Sequence, residues 1–143
     1  MRFLTIFALI ATVIFIQCVN TSKSEINIED IEGSNWSIEI APGCVNTLAF
    51  LKDQKYIDYS CERNDSLFGT YEVKESNIIL FQEGSIYDKY EKEGSSTRIG
   101  KAKFTLKLEG SKLKYLKRED FFNDEWIESK YTFPDDFCYE LVK

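Results

Sequence analysis

Side chains suited to catalysis are sparse in this chain of 143 residues. It contains no histidine, which removes Ser-His and Cys-His nucleophile pairs, ordinary histidine acid-base chemistry and most zinc sites. Carboxylates do occur as neighbours, as in Glu119-Asp120 and Asp135-Asp136, but their positions at predicted turns and strand ends indicate solvated charge. The acidic stretch 120–125 lacks the spacing and the glycine of a calcium loop. We therefore expect no enzymatic activity, no metal and no cofactor.

Cysteines are the remaining reactive side chains. Beyond the N-terminal segment there are three, Cys44, Cys61 and Cys138, which in an oxidising compartment predict one disulfide and one free thiol. A hairpin centred on residues 52–53 would place Cys44 opposite Cys61. Alternatively, Cys138 would form the disulfide with either of them if the sheet curls into a barrel. Three buried, reduced cysteines are the alternative.

The first eighteen residues have the features of an export signal. Arg2 is followed by an apolar run over residues 3–16, shorter than the roughly 20 residues that span a bilayer. Cys18 closes this run and resembles the lipobox cysteine of bacterial lipoproteins, although Gln17 stands where Gly, Ala or Ser is usual. The resemblance implies lipidation of Cys18, and hence an exported protein of the cell envelope whose partner is a membrane. A plain secretory signal, giving a secreted protein, and an uncleaved anchor are the alternatives.

The remainder divides into a tether and one domain. Residues 19–32 are polar and predict a flexible tether, and residues 33–143 have the length and apolar content of a single folded domain. The formal net charge of −6 would repel nucleic-acid phosphates and anionic lipid. We therefore expect no nucleic-acid partner, and attachment to a membrane through the N-terminus alone.

Period-2 alternation dominates the domain and predicts antiparallel strands. Phe104, Leu106 and Leu108 share one face of a strand that carries Lys and Thr on the other, and Gly110-Ser111 supplies a two-residue turn. Eight to nine such segments favour an up-and-down barrel or a sandwich. The predicted strands are 36–40, 47–51, 55–61, 69–74, 78–82, 104–109, 112–119, 125–133 and 137–142. The irregular stretch 83–97 between them is either a functional lid or an inert hairpin tip.

Several short motifs resemble the lipocalin-like domains of small Bacteroidetes-type lipoproteins. They are Gly-Ser-Asn-Trp at 33–36, Leu-Ala-Phe-Leu-Lys-Asp-Gln-Lys-Tyr at 48–56, Gly-Thr-Tyr-Glu-Val at 69–73, Asn-Ile-Ile-Leu at 77–80 and Leu-Lys-Tyr-Leu-Lys-Arg at 113–118. Gln54 replaces the usual turn glycine, and one extra residue precedes Trp36. The resemblance implies an all-β fold, an antiparallel up-and-down barrel of about eight strands. It also implies that Trp36 and Arg118 close the base of the barrel.

The large apolar side chains on the predicted strands have two alternative roles. They either fill the barrel or line a cavity for one small ligand. The candidate lining residues are Trp36, Phe50, Tyr56, Tyr71, Phe81, Phe104, Leu106 and Tyr115. The sequence thus predicts a non-enzymatic envelope lipoprotein that binds a small hydrophobic ligand. The alternative is a protein-interaction or inhibitor module that contacts an envelope protein through its acidic loops.

Overall fold

A computed structural model describes residues 27–86 and 100–143. The predicted signal segment with Cys18, the tether up to residue 26, and residues 87–97 of the predicted loop lie outside the described residues. The tether prediction extends too far, because Ile28–Asp30 form a short 3-10 helix and Ile31 is only 2% exposed. The folded domain therefore begins before the predicted boundary at Gly33.

Nine antiparallel strands form within the two described ranges. They are β1 (Asn35–Ala41), β2 (Cys44–Phe50), β3 (Lys55–Ser60), β4 (Asp65–Lys74), β5 (Asn77–Ser85), β6 (Ala102–Glu109), β7 (Lys112–Phe122), β8 (Glu125–Glu128) and β9 (Cys138–Leu141). Alternation in the sequence produces them, since buried and more exposed positions alternate along β4, β5 and the first part of β7. Residues 83–85, which we predicted to be irregular, continue β5.

Two of the tight turns between described strands have left-handed backbone at both central residues. Asp53 and Gln54 between β2 and β3 have φ angles of 59° and 55°, as the two central residues of a primed hairpin turn require. Gln54 thus adopts the conformation for which glycine is usual. Asn123 and Asp124, at φ 49° and 64°, turn β7 into β8 in the same way.

The strands close into the predicted antiparallel eight-stranded barrel, consistent with a lipocalin-like fold. Neighbours follow the order β1–β2–β3–β4–β5–β6–β7–β9, and β9 returns to β1 through the pairs Trp36↔Leu141 and Ser37↔Glu140. β9 pairs with the beginning of β7, whereas β8 pairs with its end. The strand predicted at 125–133 therefore ends at Glu128, and residues 129–137 cross between β8 and β9 without joining the sheet.

Trp36 lies at the closed end of the barrel. Its side chain is fully buried, and its indole Nε1 donates to Ser34 Oγ at 2.7 Å, while that hydroxyl donates to the Ile31 carbonyl oxygen at 2.5 Å. Phe50 and Tyr71 pack edge to face nearby with ring centroids 4.9 Å apart. The 3-10 helix covers this end with Ile28 and Ile31, so the apolar core fills the lower part of the barrel.

Candidate functional site

The opposite end of the barrel contains a cavity of about 340 Å³. It opens where β3 ends and β4 begins, far from Trp36. Six aromatic side chains form much of its wall: Phe104, Tyr115, Tyr131, Phe133, Phe137 and Tyr139. Polar and charged groups share the lining: Asn46, Asp58, Ser60, Arg63, Gln82 and Arg118. We call this space the mouth cavity.

Strand β3 supplies the acidic group of the mouth cavity. Residues 56, 58 and 60 have the same parity on this strand, so Tyr56, Asp58 and Ser60 all face the interior. The sequence carried this signal, because a carboxylate two residues after a core tyrosine falls on the core face. Asp58 was not among the predicted site residues.

Asp58 is partly buried and hydrogen-bonded by two tyrosines from other strands. Its Oδ1 accepts from the Tyr139 hydroxyl at 3.2 Å, and its Oδ2 accepts from the Tyr115 hydroxyl at 3.4 Å. Burial raises the pKa of the Asp58 carboxyl to about 6, although the Tyr139 hydroxyl, the Arg63 charge and the Tyr115 hydroxyl favour the ionised form. Asp58 is therefore mostly an anion at neutral pH, with its desolvation only partly offset.

The surrounding phenols remain protonated. Burial, followed by the charge of Asp58, raises the pKa of Tyr56, Tyr115 and Tyr139. Tyr139 also hydrogen-bonds Asn46, whose Oδ1 accepts from the backbone amide of Cys61 at 2.8 Å. Tyr56 is 2% exposed, and its hydroxyl has no hydrogen-bond partner among the described residues.

A bulge in β7 directs a second charged group into the mouth cavity. Thr105 pairs with Lys117 while Leu106 pairs with Tyr115, so Leu116 is the extra residue. Tyr115 and Arg118, three residues apart, consequently both line the interior. Strict alternation would have placed them on opposite faces.

Arg118 does not close the base of the barrel, which corrects the role that the lipocalin resemblance implied. Leu141 pairs with Trp36, and its backbone amide donates to the carbonyl oxygen of Ser111, the residue just before β7. Arg118 lies seven residues beyond Ser111. At roughly 3.3 Å per residue this separation is about 20 Å. Arg118 instead lies over the Phe104 ring at 5.6 Å and donates twice to Asp120 Oδ1, at 2.7 and 2.9 Å.

Residues 129–137 bring aromatic rings over the mouth cavity. The Phe133 ring lies 4.8 Å from that of Tyr115, and the Phe137 ring lies 5.9 Å from it. Lys114 Nζ contacts Asp135 Oδ1 at 3.2 Å and so ties this segment to β7. Strand alternation could not predict this arrangement, because the segment leaves the sheet.

The predicted lining residues divide into three groups. Phe104 and Tyr115 line the mouth cavity. Five others are buried in the barrel: Trp36, Phe50, Tyr56, Tyr71 and Leu106. The prediction that Phe81 lines the cavity is wrong. Phe81 lies between the buried Leu80 and Gln82 on β5 and therefore faces outward. Gln82 takes the interior position and donates to the Gly100 carbonyl at 2.9 Å.

A disulfide joins the strands beside the mouth cavity. The structure pairs Cys44 with Cys61, with their Cα atoms 5.5 Å apart. Cys138 forms no disulfide with another described residue and lies partly exposed at the start of β9. The Cys44–Cys61 bridge fixes the start of β2 to the turn after β3, next to Asn46 and Arg63.

The neighbouring carboxylates Glu119 and Asp120 form ion pairs with different basic residues. Glu119 contacts Lys103 at 3.0 Å and Lys117 at 3.4 Å, while Asp120 holds Arg118. Within residues 27–86 and 100–143, no group of three or more His, Cys, Asp or Glu side chains is placed to hold a metal ion. In the same part of the chain, no helix has the length and apolar character needed to cross a membrane.

Comparisons with known proteins do not assign this chain to a family. No protein-family model, curated protein or solved structure matches this chain. The function must therefore be inferred from the geometry of the mouth cavity.

Proposed function

We propose that this protein is a binding protein that holds one small amphipathic molecule in the mouth cavity. The observation that carries the proposal is the cavity of about 340 Å³ with aromatic walls and a hydrogen-bonded carboxylate inside it. Ligand sites are typically concave, mostly apolar and supplied with a few convergent polar groups. A purely hydrophobic ligand, as the sequence suggested, would leave the remaining acceptor positions of Asp58 unused.

Binding, and not catalysis, is the role that we assign to Asp58. Its two oxygens accept hydrogen bonds from tyrosine hydroxyls, which hold the carboxylate in place. The neighbouring phenols have raised pKa values and stay protonated, so they are poor bases near neutral pH. Such a cluster recognises a polar group of a ligand.

Uptake of a small neutral aromatic dye, for example 1-aminonaphthalene, tests the proposal. Ser60→Phe adds a ring on the cavity-lining face of β3, whereas Thr47→Phe adds the same ring at an exposed position of β2. We expect dye fluorescence to rise with the wild type and with Thr47→Phe, and to fall sharply with Ser60→Phe. Absence of uptake by the wild type, or equal uptake by both variants, would contradict binding in the mouth cavity.

We propose further that the barrel is anchored to a membrane of the cell envelope through a lipid on Cys18. The apolar run that ends at this cysteine supports the proposal. Cys18→Ala should move the protein from the membrane fraction to the soluble fraction and abolish incorporation of a labelled acyl chain. Cys138→Ala is the control and should leave both unchanged. Unchanged fractionation of Cys18→Ala would refute the anchor.

A further inference from the structure

The carboxylate of Asp58 is the anionic group in the lining of the mouth cavity. An ionised carboxylate offers about four acceptor positions. Asp58 uses one position on each oxygen, for the hydroxyls of Tyr139 and Tyr115, and both bonds are long at 3.2 and 3.4 Å. Capacity for a further, stronger donor therefore remains at this carboxylate.

The lining also contains two arginines, Arg63 and Arg118, beside the single carboxylate of Asp58. Arg118 makes two hydrogen bonds to Asp120 Oδ1 and covers the Phe104 ring. Arg63 is an exposed residue of the turn between β3 and β4, at the rim of the cavity. Its charge reaches Asp58, but solvent at the rim screens it.

Resting on the proposed function, we infer that the ligand of the mouth cavity is a small organic amine whose ammonium group binds Asp58 between Tyr115 and Tyr139. Its flat apolar body lies against Phe104, Phe133 and Phe137. An ammonium ion supplies donors for the remaining acceptor positions of Asp58, and the faces of aromatic rings attract cations. A carboxylate in the same place would be repelled by Asp58.

The volume of the cavity limits the size of the amine. Each water-sized group occupies about 30 Å³ of liquid, so about 340 Å³ holds a ligand of roughly ten non-hydrogen atoms. An amine with one aromatic ring and a short alkyl chain has this size.

Isothermal titration calorimetry at pH 7.5 with three probes of one shape tests the inference. The probes are 2-phenylethylamine, which is cationic, 2-phenylethanol, which is neutral, and 3-phenylpropanoate, which is anionic. A charge-assisted hydrogen bond to Asp58 predicts that the amine binds the full-length protein at least about tenfold more tightly than the other two. In Asp58→Asn the amine should bind no better than the alcohol, and the affinity of the alcohol should be unchanged.

Asp53→Asn is the matched control, because it removes one carboxylate from the exposed turn at the far end of the barrel. It should leave the affinity of the amine as in the wild type. Equal affinity of the wild type for amine and alcohol, tighter binding of the carboxylate, or no binding of any probe would overturn the inference. If the neutral dye still enters the wild type, ligand binding survives and only the amine is wrong. If the dye also fails to enter, the proposed function fails with it.

Discussion

Replacing Asp58 by asparagine should stabilise the protein at neutral pH and leave its stability nearly unchanged at pH 4. Burial raises the pKa of this carboxyl from 3.8 to about 6 in the folded state. Between these two pH values the folded protein keeps a proton that the unfolded chain releases. The contribution of Asp58 to the free energy of unfolding therefore falls as the pH rises from 4 to 6, and stays low above that.

The size of the effect follows from the two pKa values. At about 1.4 kcal/mol for each pH unit between them, ionisation of Asp58 costs about 3 kcal/mol of stability at pH 7. The groups that face Asp58 are Tyr56 on its own strand, Tyr115 on β7, Tyr139 on β9 and Arg63 in the adjoining turn. The tyrosines stay neutral through this range, so they do not change its sign.

Urea unfolding of the wild type and of Asp58→Asn at pH 4, 5, 6, 7 and 8 measures this difference. Other carboxylates titrate in both proteins and cancel in the subtraction. We expect the variant to gain about 3 kcal/mol over the wild type between pH 4 and pH 7, and Asp53→Asn to show little change. A variant that is weaker than the wild type by the same amount at every pH would refute the reasoning. The hydrogen bonds of Asp58 would then outweigh the cost of its charge.

Three further variants, two single and one double, test other parts of the structure. Tyr56→Phe removes a buried hydroxyl without a partner and should raise the free energy of unfolding of the ligand-free protein by about 1 kcal/mol, measured by urea titration; a clear loss would show that the hydroxyl is bonded. Trp36→Ala should lower it by about 3 kcal/mol or more, because the ring is fully buried; an unmoved melting temperature would show that the ring is not in the core. Replacing Cys44 and Cys61 together by alanine opens a cross-link with a sequence separation of 17 and should cost about 3 kcal/mol. If reducing agent lowers the melting temperature of this double variant as much as that of the wild type, the disulfide is not the stabilising element.

Strand alternation and turn residues were sufficient to predict most of the strands and hairpins. The alternation around Phe104, Leu106 and Leu108 corresponds to β6, and the turn at Gly110-Ser111 joins it to β7. These features are local, because each depends on residues within one strand or one turn. Closure between β1 and β9 is not local, and it was predicted only through the lipocalin resemblance.

The mouth cavity depends on features that alternation does not encode. The bulge at Leu116 shifts Arg118 to the inner face, and residues 129–137 bring Phe133 and Phe137 over the cavity by leaving the sheet. Asp58 was predictable in principle, since it shares the parity of Tyr56 on β3. The general expectation that charged residues face solvent obscured it, although tyrosine hydroxyls offset part of the cost of burying a carboxylate.

Native mass spectrometry of the protein purified from its own host tests the central claim, ligand binding in the mouth cavity, most directly. We predict that the wild type carries a co-purifying small molecule at a ratio of one to one, and that Ser60→Phe is recovered without it while Thr47→Phe retains it. The mass lost on gentle activation identifies the ligand. A wild-type protein that is recovered only as the bare chain, or a ligand that persists in Ser60→Phe, would contradict the claim.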